Sequence, residues 1–429
     1  MTIQRTLLLL LVLFLLDEPP LLAQFRDTAN AITRLRDMEA YQGALRRLDE
    51  EYDRFVEELV QLTEIPAPPF GEEARASTYM AMLRDAGLTN VEMDQIGNVM
   101  GLRRGTGEAP LLAVAAHLDT VFPEGTEVEV RREGNRLRAP GIGDDTAGLA
   151  TLLAVARVLN ETDLETESDL LFIGNVGEEG AGDLRGVKHL FRDGKYKDQI
   201  GGFIAVESGG QSTITTGALG SLRYRVTFKG PGGHSYGAFG LVSPAYAMGN
   251  AIRKVSAISV PETPKTTFNI GIVEGGTSVN SIPFETSMVV DMRSESRDEL
   301  EKLVETFLDL VHEAVEEENV TRSISEGQIE LEMTLVGDRP SGQTSESANI
   351  VKFAVAAFEA FGIRPTFRIS STDSNVPISL GIPAITIGRG GLSGRSHSLD
   401  EWVDIEREPT VRGIQVVLTT ILAIAGVIN

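Results

Sequence analysis

Three apolar runs in this chain end on residues that an apolar strand cannot bury unaided. LLAVAA runs into His117-Leu118-Asp119, LLFIGNV runs to Glu178-Glu179, and FIAV runs into Glu207. Short continuous apolar runs read as strands covered on both faces, the habit of parallel sheets. Helical patterns separate them, so the chain reads as an α/β sheet flanked by helices. Sheets of that kind carry their sites at the carboxyl ends of their strands. The polar residues just named all stand at such ends.

The rest of the chain fits around that sheet. Charged, helical patterning over 26–63 stops at Ile65-Pro66-Ala67-Pro68-Pro69, because proline removes a backbone donor and clashes with the preceding turn. Further helices are predicted over about 71–87 and 146–159. From Leu219 to about Gly337 the texture changes. Alternating strands (SLRYRVTFKG, TTFNIGIVEG, TSMVVDMRS) accompany helices near 243–258 and 297–317. This predicts an inserted α+β domain at 219–336. The first domain is then discontinuous, 24–218 plus 337–429, resuming with a helix at 347–361, strands TFRIS and AITIG, and a last helix from about 407.

The amino terminus carries Arg5 and then an apolar run from Leu7 to Leu16, followed by Leu21-Leu22-Ala23. That is a signal-peptide layout, with Ala23 the last residue removed, and it predicts a secreted or periplasmic protein. An uncleaved anchor is the alternative. The apolar stretch from Ile414 to Ile428 is short for a span and reads as a buried helix, so no stable membrane span is expected in the mature protein.

With no cysteine in its 429 residues, the chain can form neither disulfides nor thiolate metal sites. A metal here must be held by His, Asp and Glu. The formal net charge of -23 disfavours nucleic acid or an anionic membrane as partner.

Two residues apart on a strand, His117 and Asp119 point to the same side. Asp119 can then accept a hydrogen bond from the far ring nitrogen of His117, as groups behind metal ligands do. Glu178 and Glu179 place two like charges at the edge of a core, a cost that a cation resolves. Their side chains diverge, so one ligand and one base is the natural division, with Glu179 as ligand and Glu178 facing water. Asp144-Asp145 follows Gly-Ile-Gly and precedes a helix, where Asp is also a good N-cap. His397, in GRSHSLDEW, is uninformative by itself.

Taken in order, HLDT, GIGDDTAG, GEEG, AVES and SHS resemble metallopeptidase family twenty, which includes carboxypeptidase G, peptidase T, acetylornithine deacetylase and succinyl-diaminopimelate desuccinylase. The resemblance covers roughly residues 45–429. It implies a zinc-peptidase-like mixed sheet with an inserted lid and dimerisation domain. It implies two zinc ions per subunit, with cobalt or manganese as substitutes. One would take His117, Asp144 and Glu207, and the other Asp144, Glu179 and His397, with Asp144 bridging. Glu178 would be general base and then acid, and Asp119 would orient His117. A cis peptide bond is implied directly after Asp144.

GPGGHSYG resembles the segment that projects a histidine toward the active site, often that of a partner subunit. His234 would then stabilise the oxyanion, and the protein would be a homodimer through 219–336. GGTSVNSIP and DMRS would bring Asn280 to the scissile region and Arg293 to a substrate carboxylate. A surface ion pair is the plainer fate of Arg293. Thr372 and Asp373 resemble a substrate-side loop. His189 and His312 match nothing and read as structural. One departure stands out: Asp145-Thr146 follow Asp144 where the family often has Lys or Met-Lys. The expected activity is metal-assisted hydrolysis of short peptides. An N-acyl amino acid deacylase would share the same site. A non-catalytic binding protein on this fold is a third reading, but no ligand and no base is missing.

Overall fold

The computed structural model describes residues 28–208 and 210–428, so the signal-peptide reading of 1–23 lies outside the described residues. The main sheet has nine strands. Its centre is four parallel strands, side by side in the order Ser168–Asn175, Ala109–His117, Ile200–Glu207 and Ala384–Gly388. Antiparallel strands flank them. Val99–Arg103 and Thr89–Met93 lie on one side, and Thr213–Ala218 lies on the other. Thr366–Ser370 pairs in parallel with Thr213–Ala218.

Strand alternation explains why the central runs are apolar throughout. Val114 and Ala116 face one core and Ala113 and Ala115 face the other. The register then brings the polar ends level. His117 lies opposite Asn175, and Gly388 lies opposite Glu207. Ala115 lies opposite Ala205, each two residues before its strand's end.

The larger core packs helices Tyr52–Thr63, Ala147–Asn160 and Arg407–Ala425 against one face. Arg407–Ala425 is the one described helix long and apolar enough to cross a membrane, but it is mostly buried inside the protein. The patterning over 26–63 resolves into three helices, Thr28–Asp37, Glu39–Glu50 and Tyr52–Thr63. The breaks fall at Met38 and Glu51, neither of them proline or glycine, so the pattern alone ran them together. The other expected helices form within a few residues of their expected bounds.

A second, four-stranded antiparallel sheet runs in the order Thr266–Gly275, Glu285–Ser294, Gly220–Lys229, Glu330–Arg339. Helices Pro244–Val255 and Arg297–Thr321 cover one face, burying Met288, Val290 and Met292 in a separate core. Period-two alternation puts Asp291 and Arg293 on the opposite face. The return strand ends at Arg339, where the chain re-enters the main sheet.

Candidate metal centre

Three of the four parallel strands deliver polar residues to one edge because they all end there. His117 is buried at its strand end, with Nε2 3.0 Å from Asp144 Oδ1. Glu179 follows the Ser168–Asn175 strand, and its Oε1 lies 2.8 Å from His397 Nε2. His397 Nε2 is also 3.4 Å from Asp144 Oδ2. Asp144 thus faces one histidine with each carboxylate oxygen. Ligand atoms of His117, Asp144 and Glu179 lie within 4.8 Å of one another. Glu207 ends the next strand and faces the same groove, with its Oε1 buried and without a hydrogen-bond partner.

The loops that aim these groups are held from behind. The Asp144–Asp145 peptide is cis, as the resemblance implied. Gly141, at φ 76°, makes the left-handed turn before it, and a Cβ there would meet the Thr120 side chain at 2.5 Å. Glu401 is buried and accepts three backbone N–H bonds, from Gly141 at 3.1 Å and from Gly143 and Asp144 at 2.8 Å. It stands four residues after His397, so the segment that supplies one histidine also clamps the Asp144 loop. Arg395 and His397 adopt φ 61° and 64°. Non-glycine residues hold such conformations where their surroundings fix them, and functional sites are a common place.

Asp119 works differently from expectation. His117 Nδ1 lies 3.0 Å from the backbone carbonyl of Asp119 and 3.7 Å from its carboxylate. The backbone carbonyl is therefore the closer partner orienting the ring. The Asp119 carboxylate instead accepts the backbone N–H groups of Glu178 at 3.0 Å and Glu179 at 2.8 Å. It ties the Glu178-Glu179 corner to the His117 corner.

Glu178 is buried beside Glu179. Burial pushes its pKa up to about 8, with Glu179 adding to the push and the Arg339 guanidinium opposing it. Arg339 Nη1 donates to Glu178 Oε1 at 3.1 Å and to Ser371 Oγ at 3.0 Å, and Nη2 donates to the Glu178 carbonyl. Hydrogen bonds to Asp144 and Glu179 hold His397 up at about 10. Burial works against protonation of His117, yet its bond to Asp144 and the nearby carboxylates raise its pKa well above the usual value. These carboxylates stabilise positive charge on the imidazoles, and the same field favours a divalent cation among oxygen and nitrogen donors. The donor set therefore fits a metal pair of the kind read from the sequence.

His117, Asp144, Glu178, Glu179, Glu207, Arg293, Thr372 and His397 line one groove of about 500 Å³. Four other expected residues do not line it: Asp119, bonded as described above, and Asp373, His234 and Asn280. Asp373 is fully buried behind it, taking a 2.7 Å bond from Asn175 Nδ2, so it supports the wall and does not face substrate. His234 and Asn280 sit together on the second unit, where Ser235 N donates to the Asn280 carbonyl at 3.0 Å. His234 is exposed, and its Nδ1 accepts from the N–H groups of Tyr236 and Gly237. The Thr372 hydroxyl bonds Thr386 Oγ1 at 2.7 Å. Arg293 pairs with Asp291 at 2.7 Å while still lining the groove.

The model of Peptidase family M20/M25/M40 matches residues 113–423. The chain belongs to that peptidase family. All five M20 candidate ligands, His117 to His397, fall inside the match. The succinyl-diaminopimelate desuccinylase of Corynebacterium glutamicum is 26% identical over 363 residues, covering 82% of this chain and 93% of that protein. The fold is shared with aminopeptidase PepT from Bacillus cereus ATCC 10987, at TM-score 0.70 and 23% identity, over 87% of this chain and 99% of that one. It is shared also with Bacillus subtilis YXEP, described as a dinuclear metal-binding peptidase of the M20 family, at TM-score 0.63 and 17% identity, over 87% and 99%. As an M20 protein the chain is a hydrolase of peptide or amide bonds, on the mixed α/β sheet expected from the sequence.

Sequence reasoning missed Arg339 and Glu401. Arg339 lies 161 residues from Glu178, and Glu401 lies 257 residues from Asp144. No local pattern joins either pair. The SHSLDE run did contain a hint, a second acidic residue close behind the candidate ligand.

Proposed function

We propose that this chain hydrolyses short peptides with two zinc ions held by His117, Asp144, Glu179, Glu207 and His397, Asp144 bridging, and with Glu178 as the proton carrier. The observation that carries this reading is the placement of Glu178. It is a buried carboxylate that faces the groove beside the donor set, with Arg339 fixing its orientation. Cobalt or manganese suits the same oxygen and nitrogen donors. Bound there, the two cations would polarise the scissile carbonyl and make a water acidic enough to attack at neutral pH. Glu178 takes the proton from that water as its oxygen bonds to the carbonyl carbon. It then delivers the proton to the amide nitrogen as the carbon–nitrogen bond breaks. Arg293, which lines the groove from the second sheet, is the candidate clamp for a substrate carboxylate.

We also propose a homodimer. His234 and Asn280 are outside the groove of their own chain, and Tyr236, Phe239, Val279 and Phe284 around them are exposed. A second copy would cover these residues and receive His234 as an oxyanion donor. Export from the cytoplasm rests on the amino-terminal sequence. The deacylase reading draws support from the desuccinylase relative and uses the same groove.

The test is a substrate panel on protein stripped of metal and reloaded with zinc. Di- and tripeptides should be cut faster than N-acetyl amino acids, and only after reloading. Faster cleavage of the N-acyl series would replace the peptidase reading with the deacylase one. Activity that survives complete stripping would remove the metal from the mechanism.

A further inference from the structure

Four arginines line the groove in a chain whose net charge is -23. Arg339 is balanced by Glu178 at 3.1 Å. Arg223 and Arg293 share a single carboxylate, with Asp291 3.0 Å from one and 2.7 Å from the other. Arg368 has no carboxylate partner among the described residues. Two cationic charges are therefore left over outside the candidate ligand set, one on each sheet. A low-dielectric groove focuses such charge, and an acidic surface elsewhere makes the contrast steeper.

Arg368 lies on the edge strand Thr366–Ser370, with Thr215 opposite it on the neighbouring strand. Ser370, two residues on, shares its face. Arg368, Thr215 and Ser370 all line the groove, as does Thr213. This wall is hydroxyl-rich with one planar cation, a good match for a carboxylate. It belongs to the main sheet. The Arg223–Asp291–Arg293 cluster belongs to the second sheet.

We infer that the substrate is a dianion, an amide with a carboxylate on each side of the scissile bond, and that Arg368 recognises the carboxylate more distant from the second sheet. The inference rests on the hydrolase reading above and narrows its substrate class. Bare peptides of neutral residues, with one carboxylate and one ammonium, leave Arg368 unused.

Four probes test it on zinc-loaded protein: N-succinyl-leucine, N-butyryl-leucine, N-succinyl-leucinamide and N-butyryl-leucinamide. They share one amide and differ only in charge on either side. The dianion should have the highest kcat/KM, by about ten- to a hundredfold per carboxylate, the range of a charge-assisted contact. Arg368→Gln, at an exposed position, should bring one of the two acid preferences close to unity and leave the other intact. If Arg368→Gln keeps both preferences, or if wild type prefers the neutral probe, the inference is overturned. Calorimetric binding of the same probes to zinc-loaded Glu178→Gln separates this from failure of the hydrolase reading. Tightest binding of the dianion, with no turnover by wild type, would keep the inference and sink the hydrolase. Equal binding of the neutral probe and the dianion would sink the inference whatever the turnover.

Discussion

His117 and His234 are both expected to serve one reaction, but the main sheet and the two-stranded Gly233–His234/Ser281–Ile282 ladder treat them in opposite ways. His117 ends a parallel strand with 1% of its surface exposed, and both ring nitrogens are engaged by its own chain. His234 stands on a two-residue strand and is exposed, its Nδ1 meeting only the backbone of the turn that follows it. A sheet covered on both faces fixes its strand ends, so one chain can complete the donor set. An exposed turn fixes nothing beyond itself, so in the proposed homodimer a second copy would bring His234 to the chemistry.

The comparison can be sharpened by substitutions on each side, beginning with the largest expected effect. Glu178→Gln on the main sheet should cut turnover by about 10²- to 10⁴-fold, the usual worth of a positioned acid–base group, with zinc content unchanged. Near wild-type turnover at the same zinc content would remove Glu178 as the proton carrier. His234→Ala should cost about 10²- to 10³-fold, as loss of an oxyanion donor does, with no change in zinc affinity. Mixing the two inactive variants under conditions of subunit exchange should restore part of the activity. No recovery in demonstrably mixed dimers would erase the contrast, because the site would then be built within one chain.

Glu401→Ala should weaken zinc binding about ten- to a hundredfold, the usual cost of losing a residue behind the ligands, and Glu401→Gln should weaken it less. Competition with a chelator of known affinity measures both. Unchanged zinc affinity in Glu401→Ala would mean that the Asp144 loop holds its shape unaided. The smallest effect belongs to the exposed side of the second unit. Val279→Ser should shift the stability of the isolated chain by less than about 0.5 kcal/mol, and sedimentation should show weaker self-association. A larger loss of stability would mean that Val279 is already packed within its own chain.

What could be read from the sequence divides along the same line. The LLAVAA, LLFIGNV and FIAV runs identified the central strands because burial on both faces leaves no other pattern. Their polar ends then pointed to the groove without any long-range information. The five ordered motifs named the candidate ligands, and residues so named converge on one edge. Groups that act from behind were illegible. Arg339 and Glu401 reach partners that only the tertiary fold brings near, and no local pattern singles them out. Asp119 was correctly placed near His117, but its carboxylate turned to the backbone of Glu178 and Glu179. Asp373 was read as facing substrate because a motif carries no depth, and burial placed it behind the wall.

The most direct measurement is the metal stoichiometry of wild type and Asp144→Asn after zinc loading and removal of free metal. Asp144 faces both histidines, so one change strikes both halves of the proposed pair. The expected result is two zinc ions per chain in wild type and fewer than one in Asp144→Asn, with the fold retained by circular dichroism. Two ions held by Asp144→Asn, or none held by wild type, would contradict the bridged metal pair on which the proposed chemistry depends.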